Sequence, residues 1–320
     1  MSLTSELKQQ AHKLGFDAVG VASAELPARY REWLARWLGH GRHGEMTYMA
    51  RTHRRRSDPR EVLPGARSII SLAINYYPGD HGSPPDDQSG PHGRIARYAW
   101  GRDYHTLIEQ KLAALADWIR ARTPDAQVKG YVDHGPVLER AVAQEAGIGF
   151  IGKNTMLITD TLGSWVFLAE LITTLELEID RPQTSRCGSC RLCLDACPTG
   201  AIVAPYELDA TRCISYLTIE LKRDFSPSER ADIDNWLFGC DVCQEICPYN
   251  TPPTTSHESW FQKGIGPWLD AKQTASLRND NEMAPFASTA LTRPKPAGLA
   301  RNARAVLENR HRHSGSGAVT

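Results

Sequence analysis

No cysteine occurs in the first 186 residues, and no apolar run approaches the roughly 20 residues that a membrane-crossing helix needs. The longest apolar stretches, such as Trp165 to Ala169, fall far short. Neither charge is in excess, with 37 Lys and Arg against 37 Asp and Glu. That balance excludes a globally basic nucleic-acid binder, though not a local basic patch. The N-terminal stretch Met1 to Gly15 is polar and lacks the continuous apolar core of a secretory signal. The expected compartment is therefore the cytoplasm, with no membrane partner. What remains is ordinary: 41% hydrophobic and 23% charged residues in 320 suit a globular chain of about two domains. Such a chain buries a core without staples.

All eight cysteines fall between Cys187 and Cys247. A disulfide scaffold would spread them along a short secreted chain, whereas dense spacing here points to metal ligation. The first run is Cys187-x2-Cys190-x2-Cys193-x3-Cys197-Pro198, and the second is Cys240-x2-Cys243-x3-Cys247-Pro248, with Cys213 upstream. The first run has the spacing of a bacterial two-cluster ferredoxin, whose fourth cysteine serves the other cluster. Three closely spaced thiolates wrap one cubane, and the cysteine before proline turns toward its neighbour. The expected sets are Cys187, Cys190, Cys193 and Cys247 for one 4Fe-4S cluster, and Cys197, Cys213, Cys240 and Cys243 for the other. All eight are used, although Cys213 stands far upstream of Cys240, so the module carries an insertion. Paired zinc sites would use widely separated CxxC units, which four cysteines in eleven residues fit poorly. Two clusters imply one-electron transfer, and the long segment before them must use those electrons.

That segment alternates between helical and strand patterns. Helices are expected at the N-terminus, at Pro27 to Leu38, at Tyr104 to Arg122 and at Leu138 to Ala146. In the third of these, Ile108, Leu112, Leu115 and Ile119 share a face. Strands are expected at Asp17 to Ala22, Ser68 to Asn75 and Gln127 to Val132. A further pair, Met156 to Thr159 and Trp165 to Leu171, is expected across a Thr161-Leu162-Gly163 turn. Arg51 to Arg60 reads as a basic loop, and 78–94 as a polar, mobile one. The pattern predicts an α+β fold in three parts: an α/β-layer domain over 1–180, a ferredoxin-like module over 181–255, and a short helical tail over 256–320. In the tail, Ala297 to Asn309 is helical and Ser314 to Thr320 disordered.

Gly147-x-Gly149-x-x-Gly152-Lys153 mimics a dinucleotide fingerprint, with Glu170 about 20 residues on. The fingerprint needs a strand before the glycines and a helix after them, and here the order is reversed. A glycine-rich turn approaching a large ligand is the alternative.

Several blocks carry a resemblance. They are RYAWGRDYH (Arg97 to His105), YVDHGPVLER (Tyr131 to Arg140), GIGFIGKNT (Gly147 to Thr155), GSWVF (Gly163 to Phe167), CISYLT (Cys213 to Thr218) and GCDVCQ (Gly239 to Gln244). In order and over about residues 5 to 255, the chain resembles the epoxyqueuosine reductases. The resemblance implies a cobalamin-dependent enzyme with two 4Fe-4S clusters, related to reductive dehalogenases. It would reduce epoxyqueuosine to queuosine at the wobble position of tRNA. It implies an N-terminal cobalamin-binding domain, a tRNA partner, an external low-potential electron donor and a monomer. Asp133 matches the family's catalytic acid. An Asp near its ordinary pKa would be ionised at pH 7, so its pocket is expected to raise it. His105 and His134 are runner-up acids. Arg56, Arg97, Tyr98, Asp103, His105, His134, Lys153 and Asn154 are the expected cobalamin contacts.

The charge is segregated. Arg51 to Arg60 holds five arginines and one acid, residues 293–313 six Lys and Arg and one acid, and residues 157–180 five acids and no base. The two basic stretches are candidate phosphate contacts. Longer members of the family continue into HEAT-like helices, of which Leu299 to His311 resembles only the start. Two other readings stand beside this one: a cobalamin-dependent reductase of a small molecule, and a plain iron-sulfur electron carrier.

Overall fold

The computed structural model describes residues 2–85, 91–262 and 264–315. Helix Leu3–Lys13 (α1) precedes strand Ala18–Ser23 (β1). Three helices follow, Ala28–Gly39 (α2), Thr47–Arg51 (α3) and His53–Ser57 (α4). The stretch expected as a basic loop is thus mostly helical. Strand Ser68–Asn75 (β2) leads to His92–Ile95 (β3), a strand at the end of the expected polar loop. The rest of that loop includes 86–90, which lie outside the described residues. Helix Tyr104–Arg122 (α5), strand Val128–Tyr131 (β4) and helix Glu139–Glu145 (α6) come next. Short strands Phe150–Ile151 (β5) and Leu157–Ile158 (β6) precede the long strand Val166–Thr173 (β7).

β1, β2, β7 and β4 form, in that order, an antiparallel sheet. The alternation in β2 and β7 divides their side chains between its faces. Ile70, Leu72, Ile74, Phe167, Ala169 and Leu171 meet α1 and α5 on one face, where Ile108, Leu112, Leu115 and Ile119 are buried as their spacing predicts. Ile69, Ala73, Val166 and Ile172 meet Val142 and Ala143 of α6 and Ala146 at its end on the other. The expected hairpin between 156–159 and 165–171 does not form. β6 pairs with β5, and β7 pairs with β2 and β4, because a strand enclosed by two ladders buries more than a short hairpin would. Only the Thr159–Gly163 bridge remains of it.

The cysteine region contributes helix Leu192–Ala196 (α7), strands Ile202–Ala204 (β8) and Glu207–Leu208 (β9), helices Ile214–Ile219 (α8) and Pro227–Asp232 (α9), strand Trp236–Phe238 (β10) and helix Val242–Glu245 (α10). Strand Trp268–Asp270 (β11) and helices Ala271–Ala275 (α11) and Lys295–Gly315 (α12) complete the chain. β3 lies between β10, in parallel, and β11, antiparallel. This second sheet takes one strand from each of the segments 1–180, 181–255 and 256–320.

α12 begins just before the expected helix and runs on through Gly315. The last part of the stretch expected to be disordered, 316–320, lies outside the described residues. Leu299, Ala303 and Val306, the expected repeat, are buried. Arg301 and Asn302 bolt the helix down. The Arg301 guanidinium donates to the carbonyls of Leu217, Leu221 and Arg223 at 2.6–2.8 Å, and Asn302 donates to those of Thr218 and Leu237. Several of these are carbonyls at and just beyond the end of α8, which lack partners within that helix. One cation of the basic tail is thus a buried cap rather than a phosphate contact.

Candidate active site and iron-sulfur centre

Asp133 sits in the turn between β4 and α6 with φ of +54°, a left-handed conformation that Asp tolerates better than most residues. Gly135 follows where a Cβ would stand 2.5 Å from the Tyr131 ring, so the turn closes tightly on that ring. The Asp133 carboxylate is 58% exposed. Tyr104, at the start of α5, donates its hydroxyl to Asp133 Oδ2 at 2.7 Å. The Tyr104 ring is stacked between Phe167 and His105, with centroids 4.1 and 4.2 Å away. His105 Nε2 lies 3.7 Å from Asp133 Oδ2, and its Nδ1 lies 2.7 Å from Asp103 Oδ1. Asp103 also caps α5 by accepting the His105 amide N–H at 3.0 Å.

Asp103, His105, Asp133 and Tyr104 therefore form one chain of contacts. Burial disfavours the His105 charge, but the hydrogen bond to Asp103 and the Asp133 carboxylate 3.7 Å away outweigh it and lift the imidazole to about 9. Burial pushes the Asp133 carboxyl up, yet His105 and Tyr104 bring it below its ordinary value. This corrects the expectation that the pocket raises Asp133. At neutral pH the proton rests on His105, and Asp133 is the carboxylate beside it.

The other expected contacts separate. Tyr98 stays with this cluster, 6.3 Å from Tyr104 between ring centroids, and His134 lies 5.5 Å from His105. Arg56 is buried in α4 and donates to the Val137 carbonyl, just past the Asp133 turn. Arg97 is held elsewhere. Its guanidinium bonds Asp241 at 3.1 Å and Glu245 at 2.6 Å, inside the cysteine module. The sequence block that contains it spans two environments, because the chain turns between Arg97 and Asp103. Lys153 and Asn154 are likewise turned to the cysteines. Lys153 Nζ donates to the carbonyls of Gly188 and Cys190, and buried Asn154 donates to that of Cys243.

The glycines before them approach the protein's own backbone rather than a ligand. A Cβ on Gly149 would stand 2.4 Å from the Ile158 carbonyl oxygen, and one on Gly147, at φ of +74°, 2.7 Å from that of Arg181.

Tyr104, Glu139, Tyr48 and Arg293 join the site without being singled out by sequence reasoning. Tyr104 and Glu139 lie within the quoted blocks, so the blocks are the signal. Tyr48 and Arg293 reach the site only through tertiary packing: the Arg56 and Arg293 guanidiniums stand 5.8 and 6.0 Å from the Tyr48 ring centroid, and the Asp133 charge acts on Arg293.

The sulfurs fall into two neighbourhoods. Cys247 feels Cys187 and Cys190, and Cys193 feels Cys187 and Cys247. Cys243 feels Cys240, Cys213 and Cys197. Cys187, Cys190, Cys193 and Cys247 line one cavity of about 360 Å³. Backbone N–H groups point at the sulfurs, from Lys153 to Cys187 at 3.5 Å and from Ala201 to Cys197 at 3.3 Å. Burial pushes the thiols of Cys193, Cys213, Cys240, Cys243 and Cys247 up, so the thiolates that ligate need metal charge beside them.

Among the described residues, only one trio of His, Cys, Asp or Glu has ligand atoms within 4.8 Å of one another, and it contains no cysteine. Zinc would draw its thiolates to about 3.8 Å apart, given Zn–S near 2.3 Å in a tetrahedron. Wider spacing suits a cluster whose ligands stand on different iron atoms. The trio itself is His81, Asp241 and Glu245, and Arg94 and Arg97 occupy its carboxylates. It is an ion-pair knot.

A thiolate set of this size in one molecule with an acid–base chain that faces solvent points to an iron-sulfur oxidoreductase. Residues 56–134 match the family model for epoxyqueuosine reductase QueG, and residues 186–250 that for a 4Fe-4S double cluster binding domain. The epoxyqueuosine reductase of a Synechocystis species is 42% identical over 282 residues, covering 86% of this chain and 94% of its own. A crystal structure of epoxyqueuosine reductase with an epoxyqueuosine-modified tRNA-Tyr stem loop matches with a TM-score of 0.90 and 34% identity, over 96% of this chain and 81% of that one. The Bacillus subtilis enzyme, solved with its catalytic aspartate loop swung out of the active site, matches with a TM-score of 0.88 and 33% identity, over 96% and 81%. The chain belongs to the epoxyqueuosine reductase family. Among the described residues, no helix is long and apolar enough to cross a membrane.

Proposed function

We propose that this chain reduces the epoxide of epoxyqueuosine in tRNA to the alkene of queuosine, releasing the oxygen as water. The balance is two electrons and two protons per epoxide. Electrons come singly from an external donor through two 4Fe-4S clusters, one on Cys187, Cys190, Cys193 and Cys247, the other on Cys197, Cys213, Cys240 and Cys243. The two sulfur neighbourhoods support that division.

The family implies cobalamin. When bound, it supplies the cobalt-centred two-electron chemistry that single-electron clusters do not perform alone. The residues around Asp133 fit it. Corrin amides and one phosphate call for donors and cations, and Tyr48, Arg56, Tyr98, His134 and Arg293 offer them. Arg97, Lys153 and Asn154 are committed to the cysteine module and are not part of this proposal.

The chain's own residues manage the protons. The oxygen that leaves carbon is a strong base and a poor leaving group until it is protonated. Charged His105 stores a proton 3.7 Å from Asp133, and Asp133, exposed on its turn, delivers it. Tyr104 fixes the carboxylate, and Asp103 fixes the His105 ring through Nδ1. The Asp133 turn then corresponds to the aspartate loop named for the Bacillus subtilis relative.

A tRNA substrate is consistent with a cytoplasmic reaction. Arg51, Arg54 and Arg55 present exposed cations on α3 and α4 for its phosphates, although Arg54 is paired with Glu61.

The observation that carries the reading is the Asp103–His105–Asp133–Tyr104 chain in a member of this family. The test is turnover of an epoxyqueuosine-bearing stem loop by Asp133→Asn. Asn still accepts from Tyr104, so cofactor and iron content should hold while the rate falls by about 10²–10⁴. An undiminished rate removes Asp133 from the reaction.

A further inference from the structure

The first sheet buries a carboxyl group that the reaction above does not use. Glu170 stands in the middle of β7 at 0% exposure, and no N–H or hydroxyl among the described residues reaches either of its oxygens. On the neighbouring strand, the Ser71 hydroxyl opposite it also lacks a partner. An isolated carboxylate in such a place costs several kcal/mol, so the group keeps a proton or shares one.

Its partner is Glu139 of α6, whose carboxyl lies within hydrogen-bonding reach. Two carboxyls at that separation cannot both ionise cheaply, and they titrate as a unit. Burial, followed by the nearby Asp133 charge, pushes Glu139 up to about 8. Burial and then Glu139 push Glu170 well above the carboxylate range.

Glu139 reaches the other way as well. Its Oε1 accepts the backbone N–H of Asp133 at 2.5 Å. That hydrogen bond holds the one non-glycine residue of this turn that has a positive φ. The charged groups facing Glu139 are Arg56 from α4, Arg140 from α6 and Asp133 from the turn, with Glu170 below. Tyr131 of β4 lies opposite Glu170 across the ladder. Tyr104 and His105 of α5 reach the pair only through Asp133.

We propose that Glu139, backed by the buried Glu170 carboxyl, holds the Asp133 turn in its left-handed conformation, so that Glu139 is a positioning residue for the acid. Glu170 is held well above the carboxylate range and keeps its proton, and Glu139 accepts the Asp133 N–H whether it is charged or neutral. The role in turnover rests on the epoxide-reduction reading, whereas the latch itself does not.

The experiment measures hydrogen exchange of the peptide covering 131–138, corrected for intrinsic rates, at pH 7 and pH 9 in the full-length protein. The wild type should exchange slowly at both values, because Glu170 keeps its proton and Glu139 its hold on the Asp133 N–H. Glu139→Ala should exchange fast at both values. Glu170→Gln, whose amide donates permanently to Glu139, should stay slow at both. Glu139→Gln keeps an acceptor for the Asp133 N–H and should restore slow exchange at pH 7. In turnover of the stem loop, Glu139→Ala should lose at least tenfold in kcat with KM within about twofold, and Glu139→Gln should recover most of it.

Fast exchange in Glu170→Gln, or wild-type exchange in Glu139→Ala, overturns the latch. Should Glu170→Gln fail to fold, the Glu139 pair of variants still decides it. A wild type that exchanges as expected but turns over no epoxide overturns the functional reading and leaves the latch standing.

Discussion

Replacing Asp103 with Asn tests the charge on His105. Asn caps helices as well as Asp does, so α5 should start where it does now. What changes is the group that His105 Nδ1 meets at 2.7 Å, from a carboxylate to a neutral amide. Lifting an imidazole from 6.5 to about 9 is worth about 3 kcal/mol at 1.36 kcal/mol per pH unit. Asp103 and Asp133 together supply at least that amount, because they also offset the cost of burial. Asp133 is 58% exposed and 3.7 Å away, so water screens its part, and Asp103 supplies about 2 kcal/mol. In Asp103→Asn the ring should therefore titrate near 7.5, on the order of 1.5 pH units lower.

The sign is fixed by linkage. The stability and proton stored by charged His105 are complete below about 6.5 and vanish as pH rises through about 9. NMR titration of histidine-labelled protein, assigned with His105→Gln, reads the change directly. Single-turnover rates should agree with it, about equal to the wild type at pH 6.5 and roughly eightfold lower at pH 8.5. A ring that still titrates near 9, or a loss of equal size at both pH values, refutes the account.

Cys247→Ala should remove about four of roughly eight iron atoms, and Cys187→Ala with it should remove no more, whereas Cys187→Ala with Cys213→Ala should remove all. Iron analysis after anaerobic purification decides whether the two sulfur neighbourhoods are two clusters. Arg301→Met leaves three carbonyls without their donor and should cost about 3–6 kcal/mol by denaturant unfolding. An unchanged midpoint would mean that the cap is dispensable. Arg51→Ala with Arg55→Ala should lower the salt slope of stem-loop binding by roughly 1–2. A slope that does not move takes the phosphate contacts away from α3 and α4.

Where local pattern and tertiary environment agree, the sequence is readable. The period of Ile108, Leu112, Leu115 and Ile119 marks the buried face of α5, because burial on one side of a helix leaves that period. The cysteine spacing suggests a division of the eight thiols before any coordinate is known, because a cluster constrains its loop, and the two sulfur neighbourhoods agree with it. The misread hairpin shows the opposite case. A turn signal at Thr161 to Gly163 is local, but β7 finds its partners far upstream, in β2 and β4.

Arg97 shares a block with Tyr98, Asp103, Tyr104 and His105 and yet faces the cysteine module, as Lys153 and Asn154 do from another block. Neighbours in a motif need not be neighbours in a site. Glu170 looks like one acid among five in an acidic stretch, since nothing in the sequence says that its side of β7 points inward. The direction of the Asp133 shift is also out of reach of the sequence. It depends on His105 and Tyr104, which belong to a separate block and come to the turn only when α5 packs on the sheet.

The strand at the middle of the second sheet sets a timetable for synthesis. β3 leaves the ribosome with both edges bare, and β10 follows only after most of the remaining chain, with β11 later still. At about 5–20 residues per second the wait for the first partner is roughly 7–28 s. Over that interval the N-terminal sheet can close, since all four of its strands lie before Thr174, while β3 stays available to strands of other chains. Cys240 and Cys243 arrive directly behind β10, so two of the eight cysteines emerge as that edge becomes covered. A nascent chain stalled short of β10 should therefore be the aggregation-prone species, and iron supply should matter most to chains that have just passed it.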